Sequence, residues 1–149
     1  MTRSSSEAVG DAELDRRIDE LYAEAPEAFV AAREALVKAL RAEKRRAEAA
    51  EVHALARPTL AAWAAGRAAL ARPDLLAALS AAGEALREAQ RQALSGRATT
   101  LRASQDDRRA AVRALTHEAL EQLRGRGRNA EAAAAGVEAV IAAASLDEA

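Results

Sequence analysis

The sequence predicts an all-α chain, an antiparallel multi-helix bundle of six or seven helices with short connections. Three observations predict it. Apolar residues recur at three- and four-residue steps along most of the chain. No segment alternates apolar and polar residues as a strand does, and no connection exceeds about six residues, a length that suits antiparallel neighbours.

The first helix is written by "DAELDRRIDELY", where Leu14, Ile18, Leu21 and Tyr22 fall on one stripe. Asp11, after Gly10, reads as its N-cap, and the acids that follow suit the positive end of the helix dipole. "PEAFVAAREALVKAL" opens with Pro26 in a first-turn position and gathers Phe29, Leu36 and Leu40, with Val30 and Val37 beside them. The pattern runs on through "RAEKRRAEAAEVHALA" without Gly or Pro, so residues 26–56 read equally as one helix or as two broken near 43–46. They must stop or kink before Pro58.

Pro58 and Pro73 each start a further segment. The first sets Leu60, Trp63, Ala64 and Leu70 on one side, and the second repeats Leu76, Leu79, Gly83, Leu86, Gln90 and Ala93 as a seam for another helix. Ser95-Gly96 ends it. Leu101, Arg108, Val112, Leu115, Ala119 and Leu123 mark the next helix, which stops at Gly125 and Gly127. Asn129 caps a last one through Val137, Val140, Ile141 and Ala144. The expected organisation is a flexible N-terminus at 1–10, a single helical domain at 11–145 and a tail at 146–149.

Composition narrows what the chain can do. Leu, Ile, Val and Phe supply 27 of 149 residues, a share low enough for disorder, but the net charge of −1 and the strong helical period favour a fold. Ala supplies 45 residues, so helices must be joined largely by close approach of small side chains. Residues 41–128 carry net charge +7 between two acidic ends of −4 each. A basic centre of that kind attracts an anionic partner or is neutralised by its own ends. The chain lacks Cys, which rules out disulfides and fits a reducing cytoplasm. "MTRSSSEAVGD" has no signal-peptide core, and no apolar run approaches a membrane span, so a cytoplasmic, soluble protein is expected.

Catalytic sets are missing from the sequence. His53 and His117 stand far apart, and "THEALE" offers His117, Glu118 and Glu121 where a zinc-protease helix needs a second His. Ser80 lies within a helix with no base in reach by sequence, and no phosphate loop or nucleophile elbow is present. No enzyme activity, catalytic residue, metal or cofactor is expected. "RGRGR" at 124–128 reads as a helix end: Arg124 complements the dipole and Gly125 or Gly127 takes the left-handed cap.

The stretch "AAEVHALARPTLAAWAAGRAAL" at 49–70 is similar to a bacterial helix-turn-helix. Its candidate nucleic-acid contacts are Arg57, Thr59 and Arg67, with Arg45 and Arg46 from the basic cluster "RAEKRR" just before it. The turn position usually held by Gly is Ala54, and the would-be reading face is nearly all Ala, where base edges call for Arg, Lys, Asn or Gln. Two packed helices with Trp63 between them fit better than a reading head.

From about Leu21 to Ala149 the chain also resembles the amino-terminal part of a family of uncharacterised Ala/Arg-rich actinobacterial proteins. The resemblance rests on "LY", "EAFVAAREALVKALRAE", "AAEVHALARPTLAAWA", "PDLLAALSAAGEALREAQRQALSG", "DDRRAAVRAL" and "AAASLDEA" in that order. The chain departs from it at "AEKRRAEA", where relatives carry a Gly-containing turn, and at "AAGRA", where they carry Asn after the Trp. The resemblance implies an all-helical fold, no established activity, and a carboxy-terminal region beyond residue 149. The leading expectation is a non-enzymatic helical scaffold or protein–protein interaction domain. Its partners would be protein helices: another copy of itself or that missing region. A DNA-binding protein using 49–70 is the alternative.

Overall fold

The structure, a computed structural model, describes residues 5–97 and 100–147. Among these it holds seven α-helices and no strand: α1 (Ser5–Ala23), α2 (Pro26–Ala42), α3 (Arg46–His53), α4 (Leu60–Ala71), α5 (Pro73–Leu94), α6 (Leu101–Gly125) and α7 (Ala130–Asp147). The all-α fold is as the periodicity predicts. The chain divides into two compact units, Met1–Thr59 and Leu60–Ala149, where the sequence suggested one domain over 11–145. No Gly- or Ser-rich linker marks that joint, which is why composition does not reveal it. Helix α1 already runs from Ser5, six residues before the expected cap at Asp11, and α7 runs into the expected tail. Residues 1–4 of the proposed flexible N-terminus and 148–149 of the tail lie outside the described residues.

The first unit is an up-down-up set of three helices. Leu14 and Leu21 of α1, Phe29, Val37 and Leu40 of α2, and Ala49 and Val52 of α3 form its core. The rings of Tyr22 and Phe29 meet at 5.3 Å across the α1–α2 corner. The break that the sequence left open lies at Glu43–Arg45. There Lys44 takes φ 62°, its N–H bonds to the carbonyl of Arg41, and the N–H of Arg45 bonds to that of Leu40. This is a Schellman end with lysine where glycine usually sits. Lacking a Gly, it leaves no signature in the sequence.

In the second unit α6 is central, packing against α4, α5 and α7, while α4 also lies along α7. Trp63, Ala64, Ala68, Leu79, Val112, Leu115, Ala119, Leu123, Val137 and Ile141 are buried together. Gly96 and Gly127 adopt φ 75° and 69° and close α5 and α6 with the same pair of carbonyl bonds seen at Lys44. Asn129 accepts a bond from the N–H of Ala132, the expected cap of α7. Several positions read as seam lie outside it: Leu70, in the last turn of α4, is 74% exposed, Leu76, Gln90 and Ala93 of α5 and Ala144 of α7 are exposed, and Ala89 is buried where Gln90 was expected.

Small residues set the spacing of α7. A Cβ on Gly83 would lie 2.6 Å from the backbone oxygen of Ser145, so α5 and α7 are in backbone contact there. Beside it Arg108 donates from Nε to Ser145 Oγ and from Nη2 to the Ala142 carbonyl, both at 2.8 Å. A cation thus satisfies the carbonyl end of α7. Arg108, which the sequence placed on an apolar seam, is at that position for this polar purpose.

Candidate functional site

The helix-turn-helix reading does not match the geometry. Helix α3 ends at His53, and Ala54 has φ −76°, an ordinary helical value rather than the left-handed turn the motif needs. Arg57, Pro58 and Thr59 precede α4, which begins at Leu60, and α3 and α4 fall in different compact units. The face of α4 that would carry contacts is core: Trp63, Ala64, Ala65 and Ala68 are buried.

The five arginine and threonine candidates are not equivalent. Arg45 is held by Glu48 at 3.1 Å from Nε, by Glu43 at 3.3 Å, and by the Gly10 carbonyl at 3.3 Å. The hydrogen bond to Glu48, against the opposing effect of burial and with help from Glu43 and Glu13, raises its pKa above the ordinary value. Arg67 is half-buried, with Nε shielded from solvent and lacking a hydrogen-bond partner. Arg46, Arg57 and Thr59 are exposed.

The histidines occupy separate surfaces. Nδ1 of His53 lies 3.0 Å from Glu34 Oε1 at an exposed site. His117 is exposed, while its neighbours Glu118 and Glu121 lie 3.8 Å from Arg72 and 2.5 Å from Arg124. Among the described residues no three His, Cys, Asp or Glu come together as a metal-binding group.

What the fold does assemble is an apolar groove in the second unit. Leu60 and Ala61 of α4 face Ala132, Ala133 and Gly136 of α7 across about 490 Å³ of open space, with Arg128 and Asn129 at one end. A Cβ on Gly136 would sit 3.3 Å from that of Ala61, so the two helices approach to the limit that methyl groups allow. From the groove an uncovered face continues along α7: Ala132, Gly136, Ala139, Ala143 and Leu146 are all exposed and recur at four- and three-residue steps. Leu146 is 58% exposed. Nearby, the Arg126 guanidinium stands 4.9 Å from the Trp63 ring, closing the end of α4 with a cation–π contact.

Sequence reasoning missed this groove because it joins segments some seventy residues apart. The available signal was α7 itself, whose apolar residues surround the helix and exceed what one buried face requires. Comparison with family models, with curated proteins and with solved structures finds no match. Among the described residues no helix is long and apolar enough to cross a membrane.

Proposed function

We propose that this protein is a non-enzymatic helical interaction domain that receives a partner helix along α7. The observation that carries this is the exposed row Ala132, Gly136, Ala139, Ala143 and Leu146, continuous with the α4–α7 groove. Small residues at that spacing let a second helix approach closely and bury its own apolar stripe. The partner to test first is another copy of the chain, since a pair of identical faces related by a two-fold axis is self-complementary. A cytoplasmic location fits the lack of cysteine. The resemblance to the Ala/Arg-rich actinobacterial family rests on the quoted motifs alone and brings no activity with it.

Solution mass measured across a concentration series tests the reading. We expect mass to rise with concentration, and Ala139→Glu to hold the protein monomeric without changing its melting curve. A constant monomer mass with a cooperative melt would remove self-association as the mode of binding. The nucleic-acid alternative keeps Arg46, Arg57 and Thr59 as exposed groups. Salt-dependent binding to duplex DNA, weakened by Arg57→Ala, would favour it over helix docking.

A further inference from the structure

The seam between α1 and α2 is apolar near its link and carries ion pairs beside its apolar core in the half far from the link. On α1 the seam positions are Gly10, Leu14, Arg17 and Leu21, and on α2 they are Phe29, Ala32, Leu36 and Leu40, with Glu43 following at the C-cap, all at three- and four-residue steps. Leu21 lies beside Ala32 and Leu36, and Tyr22 against Phe29, close to the short α1–α2 link at Glu24-Ala25. In the half far from the link, where Leu14 and Leu40 are buried, Arg17 also donates two hydrogen bonds to Glu43, at 3.0 and 3.1 Å, with its side chain only 16% exposed. Arg45 reinforces this by donating to the Gly10 carbonyl at 3.3 Å, and its Nη1 lies 4.0 Å from Glu13. Glu13, on the same helix, is 3.5 Å from Arg17. Leu14 and Leu21 are the buried apolar side chains that α1 contributes to the core, whereas α2 and α3 pack against one another along their length.

We propose that α1 is an ion-latched strap: it opens about the Glu24-Ala25 link as a separate cooperative element and displays the α2 stripe at Phe29, Ala32 and Leu36 when the Arg17–Glu43 latch is released. The latch is polar and partly solvated, so ionic strength loosens it, while the α2–α3 pair, joined by apolar contacts, stays closed. This inference concerns the first unit and does not depend on helix docking at α7.

Native-state hydrogen exchange on the full chain, followed separately for α1, α2 and α3 at low and high salt, is the test. Amides of α1 should exchange faster than those of α2 and α3. Arg17→Ala and Glu43→Gln should each speed α1 exchange by about two- to five-fold at low salt and by much less at high salt, as a solvated pair would. The reversed pair Arg17→Glu with Glu43→Arg should restore part of the lost protection, which a general packing defect would not. Exchange of all three helices as one body would overturn the strap. Fast α1 exchange that ignores salt and both single substitutions would overturn the latch.

Discussion

The two compact units of this chain solve the same shortage of large apolar side chains differently. The first fills its core with Leu14, Leu21, Phe29, Val37, Leu40 and Val52, Ala49 being the single alanine among the buried residues, and adds ion pairs around the α2–α3 turn. The second buries Ala64, Ala65, Ala68, Ala119 and Ala130 and gains contact by bringing backbones together at Gly83 and Gly136. The first unit is therefore vulnerable to loss of volume and the second to its addition. Each also holds one reporter: Tyr22, the only tyrosine, in the first and Trp63, the only tryptophan, in the second.

The largest expected effect is on the first unit. Phe29 is wholly buried, and Phe29→Ala should cost about 3–5 kcal/mol, read as a lower denaturation midpoint of the Tyr22 signal. A loss below about 1 kcal/mol would show that this core closes over cavities as loosely packed helices can. Next comes Gly83→Ala in the second unit. The new methyl would press on the Ser145 backbone, and a loss of roughly 1–3 kcal/mol is expected in the Trp63 transition. Gly66→Ala, in the same unit, should do the reverse. No atom lies within 4 Å of its missing Cβ, and helix propensity favours Ala over Gly by about 0.5–1 kcal/mol. Two glycines of one unit thus carry opposite signs, and equal signs would refute the backbone-contact account of Gly83.

A smaller effect sharpens the comparison at the helix ends. Lys44→Gly should raise the stability of the first unit by about 0.5–1 kcal/mol by relieving a left-handed lysine, and Gly127→Lys should lower that of the second by a similar amount. Chemical denaturation of both variants checks the pair. The smallest effect is one of pH. The hydrogen bond from Arg17, helped by Arg45, holds the Glu43 carboxyl below its ordinary value of 4.5. Its contribution is complete above that value and lost as pH falls through the depressed one. The acid side of a stability-against-pH curve should therefore be shallower in Glu43→Gln than in the unaltered protein.

What could be read in the sequence was local. Pro26 and Pro73 at helix starts, Asn129 as a cap, and Gly96 and Gly127 as helix ends all act through their own backbone chemistry, and the structure uses each as expected. The break at Lys44 was not legible, because its conformation is imposed by the turn rather than preferred by the residue. The joint at Thr59 was not legible either, since a connection between units there is as short as one between neighbouring helices. The groove and the Arg108–Ser145 bond needed knowledge of which helix lies beside which. Arg57 and Thr59 were visible as polar groups, but Arg45 and Arg67 needed their surroundings before their charge could be interpreted.

The connection from α3 to α4 has one more consequence. Its exposed Arg57 is followed by Pro58, and the next break, at Arg72, is followed by Pro73. Proteases that cut after arginine disfavour a bond whose far side is proline. Trypsin should therefore spare both helix breaks and nibble at surface arginines elsewhere, whereas an enzyme that cleaves after leucine would find Leu55 and release fragments near the joint.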